Sequence, residues 1–285
     1  MLNKFEKIKQ AYILYNNLVY LDPLQIMALV YRLLFKQLYN MYKRQGALAL
    51  SGYLVKSFGY LTIDRYLRGS FSQKGEDLII DRYFKNKRKG FYIDIGAYHP
   101  QINSNTKLFY DRGWNGINIE PNPARIELFQ RFRKRDKNLN VGIGSSKGMA
   151  TFYELDANGL STFSKKEADS MLKLGHKLKN KMKIQMYKMQ DIMKEYVRSD
   201  IDFITIDTEA LDLEVLKSNN WEKYRPKLLC IETIDFADLL TSTKDSSDRK
   251  REISKYLSEK GYKEYFSNGL NTLYIDSKQK SVITN

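Results

Sequence analysis

Cysteine is nearly absent from this chain: 285 residues contain only Cys230. A single thiol cannot build a disulfide framework or a multi-thiolate zinc site. This usage fits a reducing compartment, and Cys230, set in an apolar strand-like run, reads as a small core residue. Long apolar runs are missing too. No stretch reaches the ~18 uninterrupted apolar residues of a membrane-spanning helix. The N-terminus lacks the compact apolar core and small-residue cleavage site of a secretory signal. Both absences point to a cytoplasmic protein. Acidic residues are comparatively few, 33 against 48 Lys and Arg, which leaves a net charge of +15. A surface this basic draws anions, whether nucleic acid, anionic lipid or phosphorylated substrate; the plainer reading is lysine-rich solubility. What remains is ordinary for a globular protein: 42% hydrophobic residues, in a chain long enough for one catalytic domain plus an extension.

Residues 1–69 differ from the rest. Leu2, Phe5, Ile8, Tyr12 and Ile13 recur at helical spacing, as do Leu24, Met27, Val30, Leu34 and Leu38, with a break at Asp22-Pro23. Ten Lys/Arg and only three Asp/Glu fall in residues 1–70. Such a basic amphipathic extension has three candidate roles: lying on an anionic membrane, pairing with another copy to make a homo-oligomer, or packing on the catalytic domain. Residues 277–285 read as a polar tail.

From Ser70 the pattern alternates helix and strand. Helices are expected at 75–84, 105–111, 123–135, 190–197, 211–216 and 249–260. Strands are expected at 91–97, 116–120, 139–143, 149–155, 184–189, 201–206 and 228–232, with a terminal hairpin, 262–266 and 272–275, around Asn268-Gly269. This is an α/β order, a doubly wound sheet closed by a C-terminal β-hairpin.

The stretch from Gly90 to Asn122 carries the chemistry. A short buried-type strand, Phe91–Ile95, runs into Gly96, and about 25 residues after Asp94 a second strand ends in Glu120. Glycine lets the backbone turn tightly and approach a ligand. The chain then enters a helix through Ser104-Asn105-Thr106, residues suited to capping. A carboxylate at the end of the second strand can accept both hydroxyls of a ribose. The first turn has one glycine where a pyrophosphate cradle needs three, so a cofactor with a ribose and no pyrophosphate fits better. S-adenosylmethionine is such a cofactor.

Seven segments together resemble the FkbM family of S-adenosylmethionine-dependent methyltransferases. They are Ser72–Asp77, Asp94–Pro100, Ser104–Thr106, Gly113-Trp114 with Ile119–Asn122, Leu160–Thr162, Ile206–Glu209 and Ile231-Glu232. The resemblance covers roughly residues 70–276 and implies a class I, Rossmann-like methyltransferase domain, leaving the N-terminal helical extension without a counterpart. One position departs from the family pattern: Ala210 stands where the family usually has glycine after Asp-x-Glu. Either that turn does not need positive φ here, or its local geometry differs.

In such a sheet the ligand lies across the carboxyl ends of the strands. Strand-end position and resemblance give Glu120 the ribose diol, and put Asp94, Gly96 and Ala97 along the methionine end, with a turn-capping carboxylate the alternative for Asp94. Asn122 is expected near the adenosine, with Pro121 beside it. Residues 141–143, Gly142 and Ile143 among them, are expected to pass the adenine edge through backbone groups. The resemblance also brings Gln73 and Glu76 toward the amino-acid end and counts Asn105 with the cofactor-binding set; a helix cap is the alternative for Gln73 and Glu76.

Methyl transfer to an alcohol needs a general base within hydrogen-bond reach. Asp207, Glu209, Glu232 and His99 are the candidates, with loop capping the alternative for His99 and a helix N-terminal carboxylate that for Glu209. Asp207 and Glu232 could also hold Mg2+, which would lower the pKa of the acceptor hydroxyl. The lysine-rich segment 165–194 reads as a long mobile loop over the rim, or as a solvated helix face. Its lysines suit a phosphate on the acceptor.

Members of the resembling family are associated with methylation of polysaccharides and secondary metabolites. The expected activity is therefore O-methylation of a sugar hydroxyl, on a phosphorylated or lipid-linked glycan at the inner face of a bacterial membrane. A nucleic-acid methyltransferase is the alternative raised by the charge. Asp207-Thr208-Glu209 stands where amino-methylating enzymes carry an Asn-Pro-Pro-Tyr-type run, which argues against it. A non-catalytic scaffold retaining the cofactor fold is the third reading.

Overall fold

The computed structural model describes residues 69–85, 87–156, 161–233 and 245–278. The paired helices expected before Gly69, the tail beyond Lys278, and Gly159 and Leu160 lie outside the described residues.

Ten strands and seven helices follow one another in the described chain. They are α1 (Glu76–Tyr83), β1 (Phe91–Ile95), α2 (Lys107–Asp111), β2 (Asn115–Ile119), α3 (Pro123–Phe132), β3 (Lys137–Leu139), β4 (Gly142–Ile143) and β5 (Gly148–Leu155). After these come α4 (Lys165–Lys173), β6 (Leu178–Tyr187), α5 (Met189–Tyr196), β7 (Phe203–Ile206), α6 (Asp212–Lys217), β8 (Leu228–Glu232), α7 (Asp245–Glu259), β9 (Tyr262–Ser267) and β10 (Asn271–Asp276). Seven strands form the main sheet in the order β3-β2-β1-β7-β8-β10-β9. The first five are parallel, and β10 runs antiparallel to both β8 and β9.

The strand sequences explain the layering. Side chains alternate between the two faces of a strand, and both faces of the central strands are apolar. Ile93, Ile95, Ile117, Ile119, Ile204, Ile206 and Ile231 pack on one face with Met189 and Ile192 of α5, Leu216 of α6 and Leu257 of α7. Tyr92, Phe203, Cys230 and Leu273 pack on the other face with Ile80 of α1, Phe109 of α2 and Trp114. Helices therefore cover both sides, as a buried parallel sheet requires. The terminal hairpin turns at Asn268-Gly269 with Gly269 at φ 85°, and Cys230 is fully buried.

Two expectations are corrected. The single strand expected over 139–143 is two strands in different sheets: β3 borders the main sheet, whereas β4 pairs with β6 in a three-stranded sheet, β4-β6-β5. The break is at Asn140, whose side-chain amide donates to the carbonyls of Glu120 and Pro121. Gly142 then passes so close to Met186 and Phe163 that a Cβ would clash with both. The lysine-rich stretch 165–194 is not a long loop: it holds α4, β6 and the start of α5. Ser164 caps α4 through the Glu167 N–H. In β6 the residues Met182, Ile184 and Met186 face inward between outward lysines, a strand alternation that lysine density obscures.

Phe203 is fully buried in β7 and meets the rings of Phe84, Tyr92, Phe109 and Trp114. Phe203→Ala should cost about 3–5 kcal/mol in urea unfolding, against about 0.5 kcal/mol or less for Phe132→Ala, whose ring is 40% exposed.

Candidate active site

Parallel register builds the rim. Ile95 pairs with Ile119 on one side and Ile206 on the other, and Ile206 pairs with Ile231. The next residue of each strand exit is therefore Gly96, Glu120, Asp207 or Glu232, side by side at the carboxyl edge. Gly96 lies at φ 78°, and a Cβ there would fall inside the carbonyl oxygen of Asp207. Only glycine lets these two exits lie together. Gly96 and Ala97 both donate their N–H to the Ile119 carbonyl, at 3.0 and 3.1 Å, which bends the turn toward β2.

That bend carries Tyr98 to Glu120. The Tyr98 N–H donates to Glu120 Oε2 at 2.9 Å, and the Asn122 N–H donates to Oε1 at 2.8 Å. Tyr98 takes φ 58° to do so, a conformation costing a non-glycine residue about 1–2 kcal/mol. Glu120 is buried. Burial pushes its pKa up, while Arg125 and the two amides hold it down. Each oxygen keeps a second lone pair, so the carboxylate can still accept a vicinal diol. Asn122 caps α3 through the Ala124 N–H, and its amide donates to Glu154 Oε1 on β5. Pro121 follows Glu120, its carbonyl bound by Asn140.

Asp94 lies inside the rim, on the face opposite Ile93 and Ile95. Thr106 Oγ1 donates to it at 2.8 Å. Burial raises its pKa to about 7; Thr106 and Arg133 pull downward, Asp136 and Glu120 push further up. The Ser104-Asn105-Thr106 segment acts differently from a helix cap. Thr106 precedes α2 without a side-chain cap bond. Instead Ser104 Oγ accepts from Arg133, Asn105 donates to Thr205 Oγ1 on β7, and Thr106 binds Asp94. Three successive side chains thus tie one loop to α3's end, β7 and β1.

Arg133 anchors a buried polar network that the sequence reading did not assign. Its guanidinium donates to the Pro100 carbonyl, the Tyr92 hydroxyl and Ser104, and Asp136 accepts from Tyr92, Asn118 and the Gly116 N–H. The available signal was Asn118, a polar residue between Ile117 and Ile119 in β2.

Other expected site residues have identifiable positions. His99 Nδ1 accepts from the N–H groups of Gln101 and Ile102, both at 3.1 Å. Burial, reinforced by Arg125 and Arg133, lowers its pKa to about 4, so it caps its loop as a neutral ring. Glu76 is buried and pins the terminal hairpin, accepting from Asn268 and Asn271 at 2.7 and 2.8 Å. Gln73 is exposed. Ala97 packs on Ile126 and Phe129. Gly142 and Ile143 belong to the second sheet, and Ile143 reaches the main core.

Asp207, Glu209 and Glu232 converge. One carboxylate oxygen of each lies within 4.8 Å of the others. Glu209 precedes α6 by three residues, outside its first turn. Glu209 and Ala210 have φ 49° and 90°, so Ala210 takes the glycine-type conformation despite its Cβ. Two groups hold this turn: Thr162 Oγ1 donates to the Glu209 carbonyl at 2.9 Å, and Asp212 Oδ1 accepts from the Thr208 N–H and hydroxyl. The three could hold a metal ion, and an all-oxygen donor set is of the kind that suits a hard cation such as Mg2+.

The sequence model of the Methyltransferase FkbM domain matches residues 94–264. Solved structures resembling the chain include a Staphylococcus aureus protein provisionally assigned as a caffeoyl-CoA O-methyltransferase, with TM-score 0.43, 10% identity, and 85% of this chain and 98% of that one covered. A TehB-like SAM-dependent methyltransferase from Corynebacterium glutamicum aligns with TM-score 0.38, 10% identity, and 81% and 100% coverage. No curated protein matches the sequence. Among the described residues, no helix is long and apolar enough to cross a membrane.

Two predictions concern the rim. Ala210→Gly should stabilise the protein by about 0.5–1 kcal/mol, relief of left-handed strain less the entropy glycine adds, and Gly96→Ala should cost at least about 2 kcal/mol; urea unfolding measures both. Asp94 is raised in the folded state, so the native protein holds a proton that the unfolded chain releases between pH 4 and about 7. Its contribution to stability therefore falls as pH rises through that window. The stability of Asp94→Asn relative to wild type should climb from pH 4 to 7 and level off above; a flat difference would contradict this assignment.

Proposed function

The chain belongs to the methyltransferase FkbM domain family, and on that premise we propose that it transfers a methyl group from S-adenosylmethionine to a sugar hydroxyl. The acceptor in this reading is a phosphorylated or lipid-linked glycan. The observation that carries it is the carboxyl-edge row, with Glu120 at one position and the Asp207–Glu209–Glu232 cluster beyond Gly96.

The residues fit the cofactor. Glu120 is buried at a strand end, oriented by two backbone amides, with acceptor capacity left for a ribose diol. When bound, S-adenosylmethionine supplies a methyl already activated by its positive sulfur. The protein's work is to hold the acceptor oxygen in line and exclude water. Asp207 takes the hydroxyl proton as attack proceeds, a step requiring hydrogen-bond reach. Glu209 and Glu232 stand beside Asp207, one oxygen of each within 4.8 Å of the others. Mg2+ held by Asp207 and Glu232 is a second route by which this cluster would acidify the hydroxyl. A carboxylate cluster suits an alcohol, whose proton must leave, and this favours the glycan reading over nucleic-acid methylation. Residues 1–69, basic and amphipathic by pattern, would hold the protein against an anionic inner-membrane surface, where lipid-linked acceptors reside.

The test combines calorimetry of S-adenosylmethionine binding with a labelled-methyl screen of sugar nucleotides and glycolipids, with magnesium or chelator. Glu120→Ala should raise the cofactor Kd at least about tenfold, roughly 1.4 kcal/mol. Asp207→Asn should lower kcat more than it alters that Kd. Unchanged cofactor affinity in Glu120→Ala would overturn the site. Chelator sensitivity reversed by Mg2+ would select the metal route over the direct base.

A further inference from the structure

The β5–β6 pair presents one face to the core and one outward. Phe152, Ile184 and Met186 are buried on the inner face. Register places Thr151 opposite Lys183 and Tyr153 opposite Lys181 on the outer face. Lys179, Lys181 and Lys183 are all exposed. Alternate residues of a strand lie about 7 Å apart, so Lys181 and Lys183 stand at that interval, and Lys179 follows at a register shift opposite Glu154 and Leu155. Like charges so placed repel and weaken a sheet unless something compensates. Neighbouring Lys165 has its compensation, an ion pair with Asp169 at 2.6 Å. Among the described residues no ion pair reaches Lys179, Lys181 or Lys183. The acid on this hairpin nearest the row, Glu154, faces inward and accepts from Asn122.

Aromatic rings share this face. Lys181 Nζ stands 5.7 Å from the Tyr153 ring centre, and Lys147 Nζ stands 5.3 Å from that of Tyr187. The ribbon is also joined to the carboxylate cluster. Tyr153 exchanges backbone hydrogen bonds with Thr162 at 2.9 and 3.1 Å, and the Thr162 hydroxyl holds the Glu209 carbonyl. One residue, Thr162, therefore separates Tyr153, opposite the middle lysine of the row, from the turn bearing Glu209.

We propose that the outer face of the β5–β6 ribbon, through Lys179, Lys181, Lys183 and Tyr153, binds the phosphate groups and sugar rings of an anionic glycan and feeds a hydroxyl to the rim. The inference rests on the sugar O-methyltransferase reading and names its acceptor class. Lysine ammonium groups are point charges suited to phosphate, and tyrosine faces suit the C–H face of a sugar ring. The row contains no arginine, the side chain best suited to planar, bidentate reading of bases, so phosphate on a glycan is favoured over nucleic acid.

The test uses the full chain and three probes: phosphomannan, neutral mannan and poly-uridine RNA, titrated at several salt concentrations. Phosphomannan should bind at least tenfold tighter than mannan. The exposed triple variant K179Q/K181Q/K183Q should weaken phosphomannan binding at least tenfold. It should also make phosphomannan binding less dependent on salt, since three exposed charge contacts are lost. Cofactor Kd should be unchanged in the variant. Equal binding of mannan and phosphomannan, or an unaffected triple variant, overturns the proposal, and RNA binding tenfold tighter than phosphomannan assigns the face to nucleic acid. Failure of the wild-type chain to bind S-adenosylmethionine would instead sink the underlying activity, a separate readout.

Discussion

The rim depends on the missing side chain at Gly96. The exit of β1 is pressed against the carbonyl of Asp207 at the exit of β7, and no Cβ fits between them. This contact sets the lateral distance between the strand ends and starts a turn whose successive amides bind Ile119 and then Glu120. A substituent at that one position would separate Asp207 from β1 and disturb the donor that orients Glu120. In the proposed reaction, donor pocket and proton acceptor are thus held in mutual position by backbone atoms, which move less than side chains.

Around that contact lie several energetically costly features. Tyr98, Glu209 and Ala210 all adopt positive φ, and Asp94, Glu120 and Glu232 are buried carboxylates. Strain and buried charge persist only where surroundings over-determine them. The Arg133 network supplies that constraint on one side, and Thr162 with Asp212 supplies it at the Glu209 turn. In the proposed reading these strained turns and buried acids at the strand exits are where the chemistry takes place.

The small sheet β4-β6-β5 is coupled to this rim by side chains from both directions: Asn122 reaches Glu154, and Thr162 reaches Glu209. A basic ribbon is thus fastened at two points to the carboxylate edge. In the proposed reading its lysines extend the positive field of the chain toward an incoming acceptor.

The βαβ alternation, the parallel core and the terminal hairpin were legible in the chain because short β-branched runs bounded by glycine and acid admit little else. The row Gly96, Glu120, Asp207 and Glu232 was equally legible, since parallel strands of similar length end together. The division of 139–143 between two sheets was not, because it turns on an Asn140 side chain bonding to carbonyls twenty residues away. Nor were the first half of β6 beneath its lysines or the Arg133 network, and the choice between loop capping and catalysis for His99 waited on its burial. Sequence alone determined the order of elements and which acids stand at strand ends, because periodicity and strand termini are local properties. Tertiary structure alone decided which of those acids meet, which are neutralised or strained, and that Ala210 must take glycine's conformation, because distances and burial exist only after packing.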